Sequence, residues 1–278
     1  MRLSVRVRAG PGYAPGLLLH HGLASSSHIW DLMLPRLSRT FRVVAYDARG
    51  HGLSGKPSSG YGFEATVEDA AAVLRATGLP RPVVVGHSWG ALVALALAAR
   101  RPRMVSGAVL VDGGVGTIAS SMSWAETKEY LAPPHLAGMP VDEFRTMIRT
   151  FAGDAFEVTP DIESMVLSLM RVDRQGRIHP RLSRANHFRI LRAIWELDPL
   201  TLWSGLRVPI LALLARNAEG PEEEGWFRAK RRAARDVRAV SDPALVRIAW
   251  MDGIHDLPVQ RPAQLTRRIE RFAREVVG

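Results

Sequence analysis

A serine between two glycines occupies the pentapeptide Gly86-His87-Ser88-Trp89-Gly90. Valines at 83–85 precede it and a small-residue helical pattern follows it, which predicts a strand, a sharp turn and a helix. Such a turn holds the Ser88 hydroxyl clear of the sheet, in a backbone conformation with positive φ. Gly86 and Gly90 lack the Cβ atoms that would clash where strand and helix cross. The helix N-terminus points free N–H groups at any anion formed above Ser88, an arrangement that suits a nucleophile.

Other polar residues also stand directly after predicted strands. His20 ends an apolar run, Asp47 follows the strand at 42–46, and Asp112 follows the strand at 105–111. In an open α/β sheet, ligands bind at the carboxyl ends of the strands. We therefore expect these side chains to lie at the same edge of the sheet as Ser88.

Strands and helices alternate in both outer parts of the chain. Strands are predicted at 5–8, 17–20, 42–46, 83–85, 105–111, 208–214 and 246–250, with helices between most of them. This alternation predicts an α/β fold with a mostly parallel sheet and helices on both faces. From 117 to 206 no convincing strand is found, and helices are predicted at 123–131, 141–151, 160–171 and 183–197. We interpret 1–116 and 207–278 as the core domain and 117–206 as an inserted helical cap.

Four motifs occur in a characteristic order along the chain. They are His20-His21-Gly22, the loop Asp47-Ala48-Arg49-Gly50-His51-Gly52-Leu53-Ser54, the pentapeptide at 86–90, and Gly253-Ile254-His255-Asp256-Leu257-Pro258. Together they resemble the motifs of the α/β-hydrolase fold family, in its capped, esterase-like serine hydrolase branch. The resemblance covers essentially the whole chain.

The resemblance implies a role for residues in three of these motifs. Ser88 would be the nucleophile, and His255, the last of the triad in chain order, would be the base that takes the serine proton. The backbone N–H groups of Leu23 and Trp89 would form the oxyanion hole. His20 and His21 are expected to brace the oxyanion loop. In the loop at 47–54, three residues are expected to hold the backbone in place without reacting: Asp47, Arg49 and His51.

The acid of the triad is where the sequence departs from the family pattern. The usual position follows the strand at 208–214, but a Gly-x-x-Asp pattern is absent there and Glu219 stands about one residue late. Asp112 ends the preceding strand, where haloalkane dehalogenases and some other family members carry their acid. Both carboxylates stay open at this point, with Glu219 slightly preferred because its loop is the commoner source in the family.

The composition argues against several other classes of protein. The chain has no cysteine, which excludes disulfides, thiolate metal sites and cysteine nucleophiles. Its formal net charge is +10, but the basic residues are dispersed, and we interpret the one cluster at 228–232 as the solvated face of a helix. No apolar run reaches transmembrane length, and the first residues lack the apolar core of a secretory signal. We expect a cytoplasmic protein without nucleic-acid or membrane partners.

The residues and the resemblance together predict a serine hydrolase that needs no metal or organic cofactor. The expected substrate is a small to medium carboxylic ester, cleaved through an acyl-enzyme on Ser88. The alternatives on the same triad are lactone hydrolysis and carbon–carbon bond hydrolysis. An alternative of another class is a small-molecule receptor that keeps the hydrolase pocket without catalysis. The sequence does not decide which residues line the pocket or what the oligomeric state is. Candidates for the lining are Trp124, Trp195 and Trp203.

Overall fold

The computed structural model describes residues 1–216 and 221–277, except for the side chains of 221–224. The strands are β1 (Val5–Arg8), β2 (Gly16–His20), β3 (Arg42–Tyr46), β4 (Val83–His87), β5 (Gly107–Val111), β6 (Met170–Val172), β7 (Ile178–Pro180), β8 (Ile210–Arg216) and β9 (Val246–Asp252). The helices are α1 (Leu34–Leu37), α2 (Phe63–Thr77), α3 (Trp89–Arg100), α4 (Trp124–Tyr130), α5 (Val141–Ala152), α6 (Pro160–Leu167), α7 (Arg184–Trp195), α8 (Leu200–Trp203), α9 (Pro221–Val240), α10 (Leu257–Gln260) and α11 (Pro262–Val277).

Seven strands form one twisted sheet in the order β1-β3-β2-β4-β5-β8-β9. Strand β1 pairs antiparallel with β3, and the remaining pairs are parallel. This topology confirms the predicted α/β class. Strand β4 lies at the centre of the sheet, so the residue that follows it, Ser88, has a strand end on either side.

Helices cover both faces of the sheet, which is why its inner strands are uninterrupted apolar runs. On one face, Leu18 and Val84 pack with residues of α2, α3 and α9. On the other face, Leu17 and Leu19 pack with residues of α1 and α11. Within the described residues, no helix has the length and apolar character needed to cross a membrane.

The segment between β5 and β8 lies outside the main sheet and contains α4 to α8. The expectation that it holds no strand is wrong at one place, because β6 and β7 form a small antiparallel hairpin. The helix predicted at 160–171 ends at Leu167 instead. The hairpin turn explains the difference: Asp173 Oδ1 accepts the N–H groups of Gln175 and Arg177, and Gly176 adopts φ +72°. The boundaries of the cap at 117 and 206 stay a prediction.

The turn between β4 and α3 has the positive φ expected from the sequence, with φ 55° and ψ −117° at Ser88. A Cβ on Gly86 would overlap the carbonyl group of Gly90, and a Cβ on Gly90 would overlap the carbonyl oxygen of His20. The start of α3 therefore packs against the ends of β2 and β4 at backbone contact distance. Glycine at these two positions is what allows the sharp turn.

We predict that Gly86→Ala lowers the free energy of unfolding by at least about 2–3 kcal/mol, because backbone rather than a mobile side chain occupies the space of the new methyl group. Gly205→Ala is the matched control: no atom lies within 4 Å of its Cβ position, so we expect a change within about 0.5 kcal/mol. Urea unfolding of both variants measures the difference. Equal midpoints for the two variants would contradict the close approach.

Candidate active site

Ser88 lies between the loops that follow β2 and β5. Its backbone N–H donates to the carbonyl oxygen of Val111 at 2.9 Å. A Cβ on Gly22 would stand 3.2 Å from the Cβ of Ser88, and a Cβ on Gly113 would overlap the Ser88 carbonyl group. The glycines of the two loops thus allow both to close around the serine.

His255 lies in the loop between β9 and α10, beside the Ser88 turn. Its carbonyl oxygen accepts a hydrogen bond from His87 Nε2 at 3.0 Å, and the two imidazole rings have centroids 4.9 Å apart. About half of the His255 side chain is exposed (53 %). Because His87 directly precedes Ser88, this contact fixes the position of the His255 loop relative to the predicted nucleophile.

The partner of the His255 ring is Asp112. The distance from His255 Nδ1 to Asp112 Oδ2 is 2.6 Å, and the Asp112 side chain is fully buried (0 % exposed). Since an ionised carboxylate can only accept, Nδ1 carries the proton and Nε2 is left as the free base. This is the tautomer that a general base for a serine hydroxyl requires.

The pKa values of the pair are shifted in opposite directions. Burial alone would raise the pKa of Asp112, but the hydrogen bond and charge of His255, together with Lys230, lower it to about 2. Partial desolvation of the half-exposed ring acts to lower the pKa of His255, but the hydrogen bond and charge of Asp112 outweigh it and raise the pKa above its ordinary value. Asp112 is therefore ionised at neutral pH and favours the imidazolium form of His255.

Two further groups hold the Asp112 carboxylate, and the sequence reasoning missed one of them. Asp112 Oδ1 accepts the N–H of Ala215 at 2.8 Å, and the Nζ of Lys230 lies 2.8 Å from Oδ2. The interpretation of 228–232 as a solvated helix face is wrong for Lys230, whose side chain is only 25 % exposed. Helical spacing could have revealed that Lys230 faces inward, since it stands four residues before Ala234 on the apolar face of α9.

Glu219, the other candidate for the acid, lies outside the described residues. Of the two expected oxyanion donors, Trp89 is the first residue of α3, so its N–H has no acceptor within the helix. Leu23 follows Gly22 in the loop that closes on Ser88. The roles of these residues stay predictions. Among the described residues, no cluster of three His, Asp or Glu side chains could hold a metal ion.

Sequence comparison finds relatives of part of this chain. A family model described as "alpha/beta hydrolase fold" matches residues 15–142. The 2-(acetamidomethylene)succinate hydrolase of Mesorhizobium japonicum is 37 % identical over 111 residues, which cover 40 % of this chain and 40 % of that protein. The aligned part is thus less than half of the curated relative.

Solved structures extend the likeness to nearly the whole chain. The crystal structure of E-2-(acetamidomethylene)succinate hydrolase superposes with a TM-score of 0.76 at 22 % identity, covering 97 % of this chain and 94 % of that one. A thermophilic esterase from Thermogutta terrifontis gives a TM-score of 0.69 at 24 % identity, with coverages of 99 % and 94 %. The chain therefore has the α/β-hydrolase fold.

Buried histidines brace the loops behind the Ser88 turn. His21 Nε2 accepts the N–H of Ala48 at 2.9 Å, and its Nδ1 bonds to the carbonyl oxygen of Gly22 at 2.7 Å. His51 Nε2 accepts the N–H of Ala24 at 3.3 Å. Because a backbone N–H can only donate, both rings are neutral with the proton on Nδ1. The two rings thus tie the predicted oxyanion loop to the loop after β3.

The Asp47 carboxylate and the ion pair between Arg49 and Asp69 hold the loop after β3 in place. Asp47 accepts the N–H of Ser27 and of Leu53, each at 2.8 Å. Arg49 pairs with Asp69 through two bonds of 2.6 and 2.7 Å. Both carboxylate oxygens of Asp47 thereby bind backbone N–H groups, as expected for a residue that holds this loop in place.

The segment between β5 and β8 rests on the same loops of the core. The hydroxyl groups of Ser168 and Ser26 lie 3.2 Å apart, and Asn186 Nδ2 donates to the Tyr61 hydroxyl at 2.8 Å. Trp203 is fully buried and donates to the carbonyl oxygen of Gly114, so it belongs to the core. Trp124 and Trp195 pack on each other with centroids 6.1 Å apart.

Four buried histidines have lowered pKa values because burial disfavours their charged form. The pKa is about 3 for His20 and His21 and about 4 for His51 and His87. The unfolded chain binds protons at these residues below pH 6.5, whereas the folded chain does not until pH 4 or lower. Falling pH therefore stabilises the unfolded state relative to the folded state and lowers the free energy of unfolding. We predict that the urea midpoint declines steadily between pH 6.5 and 5.

The control for this pH dependence is the exposed His135. His135→Gln should leave the pH dependence of the free energy of unfolding unchanged. His51→Gln should make that dependence shallower by up to about 1.4 kcal/mol per pH unit, the effect of one proton. A midpoint that does not change between pH 6.5 and 5 in the unsubstituted protein would show that the histidines are not buried as neutral rings.

Proposed function

We propose that the protein is a serine hydrolase that cleaves a small to medium carboxylic ester of an apolar acid or alcohol. The observation that carries this proposal is the 2.6 Å bond from His255 Nδ1 to buried Asp112, next to a serine at φ 55°. In the neutral ring that bond places the proton on Nδ1 and leaves Nε2 of His255 free to accept one, and the ring is docked on His87, the neighbour of Ser88. A serine at this place argues against chemistry that needs a carboxylate nucleophile there.

The reaction follows from the roles of these groups. Ser88 Oγ attacks the ester carbonyl carbon while its proton passes to His255 Nε2, and the carbonyl oxygen takes the negative charge. The N–H groups of Leu23 and Trp89 stabilise that oxyanion. The C–O bond then breaks, and the imidazolium gives its proton to the departing alcohol. Water, deprotonated by His255, cleaves the acyl-enzyme and restores Ser88.

Asp112 is the acid in this proposal, in place of the slight preference for Glu219 that the sequence suggested. One ring nitrogen donates one proton, and the proton on Nδ1 of His255 is directed at Asp112 Oδ2. The low pKa of Asp112, about 2, means that it stabilises the imidazolium without taking the proton itself. The 117–206 segment would be the cap over the site, since it rests on the loops around Ser88.

The relatives support hydrolysis and leave the bond type open. The curated relative is named for hydrolysis of 2-(acetamidomethylene)succinate, and one structural neighbour is titled an esterase. Another neighbour is titled an enol-lactonase. A panel of short p-nitrophenyl esters, lactones, aliphatic amides and carbon–carbon substrates separates these classes. Ligand binding without turnover of any of them would favour the receptor alternative.

We predict that a fluorophosphonate probe labels the protein and that Ser88→Ala abolishes both labelling and ester turnover. The loss in kcat should be ~10³-fold or more, because the variant retains no nucleophile. Exposed Ser121 provides the control, and Ser121→Ala should be labelled at the normal rate. Near-normal ester turnover by Ser88→Ala would overturn the proposed function.

The identity of the acid is tested by two isosteric substitutions. Asp112→Asn should lower kcat by ~10³–10⁴-fold, because the amide donates to Nδ1 and holds the wrong tautomer of His255. Glu219→Gln is the matched control and should lower kcat less than about tenfold. Steady-state ester kinetics measure both, with circular dichroism to confirm folding. The reverse order of the two losses would transfer the acid role to Glu219 and leave Ser88 as the nucleophile.

A further inference from the structure

Lys230 lies on the side of α9 that faces the sheet. Residues 227, 230, 234 and 237 recur at helical spacing, and Ala234 and Val237 are buried against the sheet. Phe227 packs edge-on against Trp250 with ring centroids 5.3 Å apart. The lysine therefore interrupts an otherwise apolar stripe, and its ammonium is directed at the end of β5.

The ammonium binds the same carboxylate oxygen as the predicted base. Lys230 Nζ lies 2.8 Å from Asp112 Oδ2, the atom that is 2.6 Å from His255 Nδ1. Lys230 Nζ also lies 3.3 Å from the carbonyl oxygen of Ala215, whose N–H donates to Asp112 Oδ1. Both oxygens of Asp112 are thus held, and one of them is shared between two cations whenever His255 is protonated.

A positive charge at this place opposes protonation of His255. Two like charges on one carboxylate repel each other, so the carboxylate attracts the imidazolium less than it would alone. The other charged or titratable groups that face His255 are Asp112 at the end of β5, His87 at the end of β4 and Asp256 in its own loop. Asp112 and Asp256 favour the imidazolium form of His255. His87 opposes it, as Lys230 does.

We propose that Lys230 is a positioning residue of the triad: it anchors the Asp112 carboxylate to β8 and offsets part of its charge, which keeps His255 a free base at lower pH. This inference rests on the proposed function for its catalytic meaning. Its electrostatic content rests only on the contacts between Lys230, Asp112 and His255. A lysine that merely attached α9 to the sheet would not alter the protonation of His255.

The test is the pKa of the His255 ring, measured by NMR titration of protein labelled with ¹⁵N-histidine, with His255→Gln to assign the signal. Lys230→Met and Lys230→Gln should each raise that pKa by roughly 0.5–1 unit, as expected for loss of a partly screened charge a few ångströms away. Lys230→Arg, which keeps the charge, should restore it to the original value. Arg232→Met removes an exposed charge from the same helix and should leave it unchanged.

Fluorophosphonate labelling of Ser88 as a function of pH gives a second readout. The acid limb of the labelling rate should move to higher pH by the same interval in Lys230→Gln, because His255 must lose its proton before it can activate Ser88. Lys230→Gln keeps a donor toward Asp112, so it serves if Lys230→Met does not fold.

The outcomes separate this inference from the proposed function. If both neutral variants leave the pKa of His255 where Arg232→Met leaves it, Lys230 is a structural contact only and the inference is overturned. If the unsubstituted protein is not labelled at all, the proposed function fails, while the NMR titration still decides whether Lys230 sets the protonation of His255.

Discussion

The approach of two backbones at the end of β4 is the constraint on which the site depends. Helix α3 starts within a residue of the strand end, and neither Gly86 nor Gly90 has room for a Cβ. Ser88 takes up the reversal at φ 55°, a conformation that costs a non-glycine residue on the order of 1–3 kcal/mol. The sheet bears this cost because β4 is paired on both sides and buried on both faces. The result is a hydroxyl group carried by rigid elements.

The second constraint is a buried carboxylate. Asp112 also has a positive φ, 44°, and its side chain has no exposed surface. A charge in such a place requires partners, and it has them from three parts of the chain: the Ala215 N–H, the Lys230 ammonium and the His255 ring. Because these contacts share one carboxylate, strand β8, helix α9 and the histidine loop are positioned together. The same contacts that make burial tolerable also set how strongly His255 holds a proton.

Behind the turn between β4 and α3, the neutral imidazole rings of His21 and His51 occupy positions where apolar side chains would otherwise be expected. Each ring of His21 and His51 both donates and accepts, so it satisfies one backbone N–H and one carbonyl group at once. An aliphatic side chain would leave those backbone groups unpaired, at about 1–3 kcal/mol each. The loops after β2 and β3 are thereby tied to each other beside Ser88. Because these rings are buried in the neutral form, their protonation in acid opposes the folded state.

The sequence by itself determined the alternation of strands and helices in the two outer parts of the chain, the sharp turn at Ser88 and the place of Asp47 at a strand end. These depend on local periodicity, on glycines at fixed spacing and on motifs that are contiguous in the chain. It could not choose between Asp112 and Glu219, because each follows a strand and β5 and β8 are neighbours in the sheet. Only the tertiary structure decided that His255 bonds to Asp112 and that Lys230 joins them, since those contacts span 143 and 118 residues. The β6–β7 hairpin was missed for the opposite reason: its strands of three residues are too short for periodicity to reveal, and pairing across the turn stabilises them.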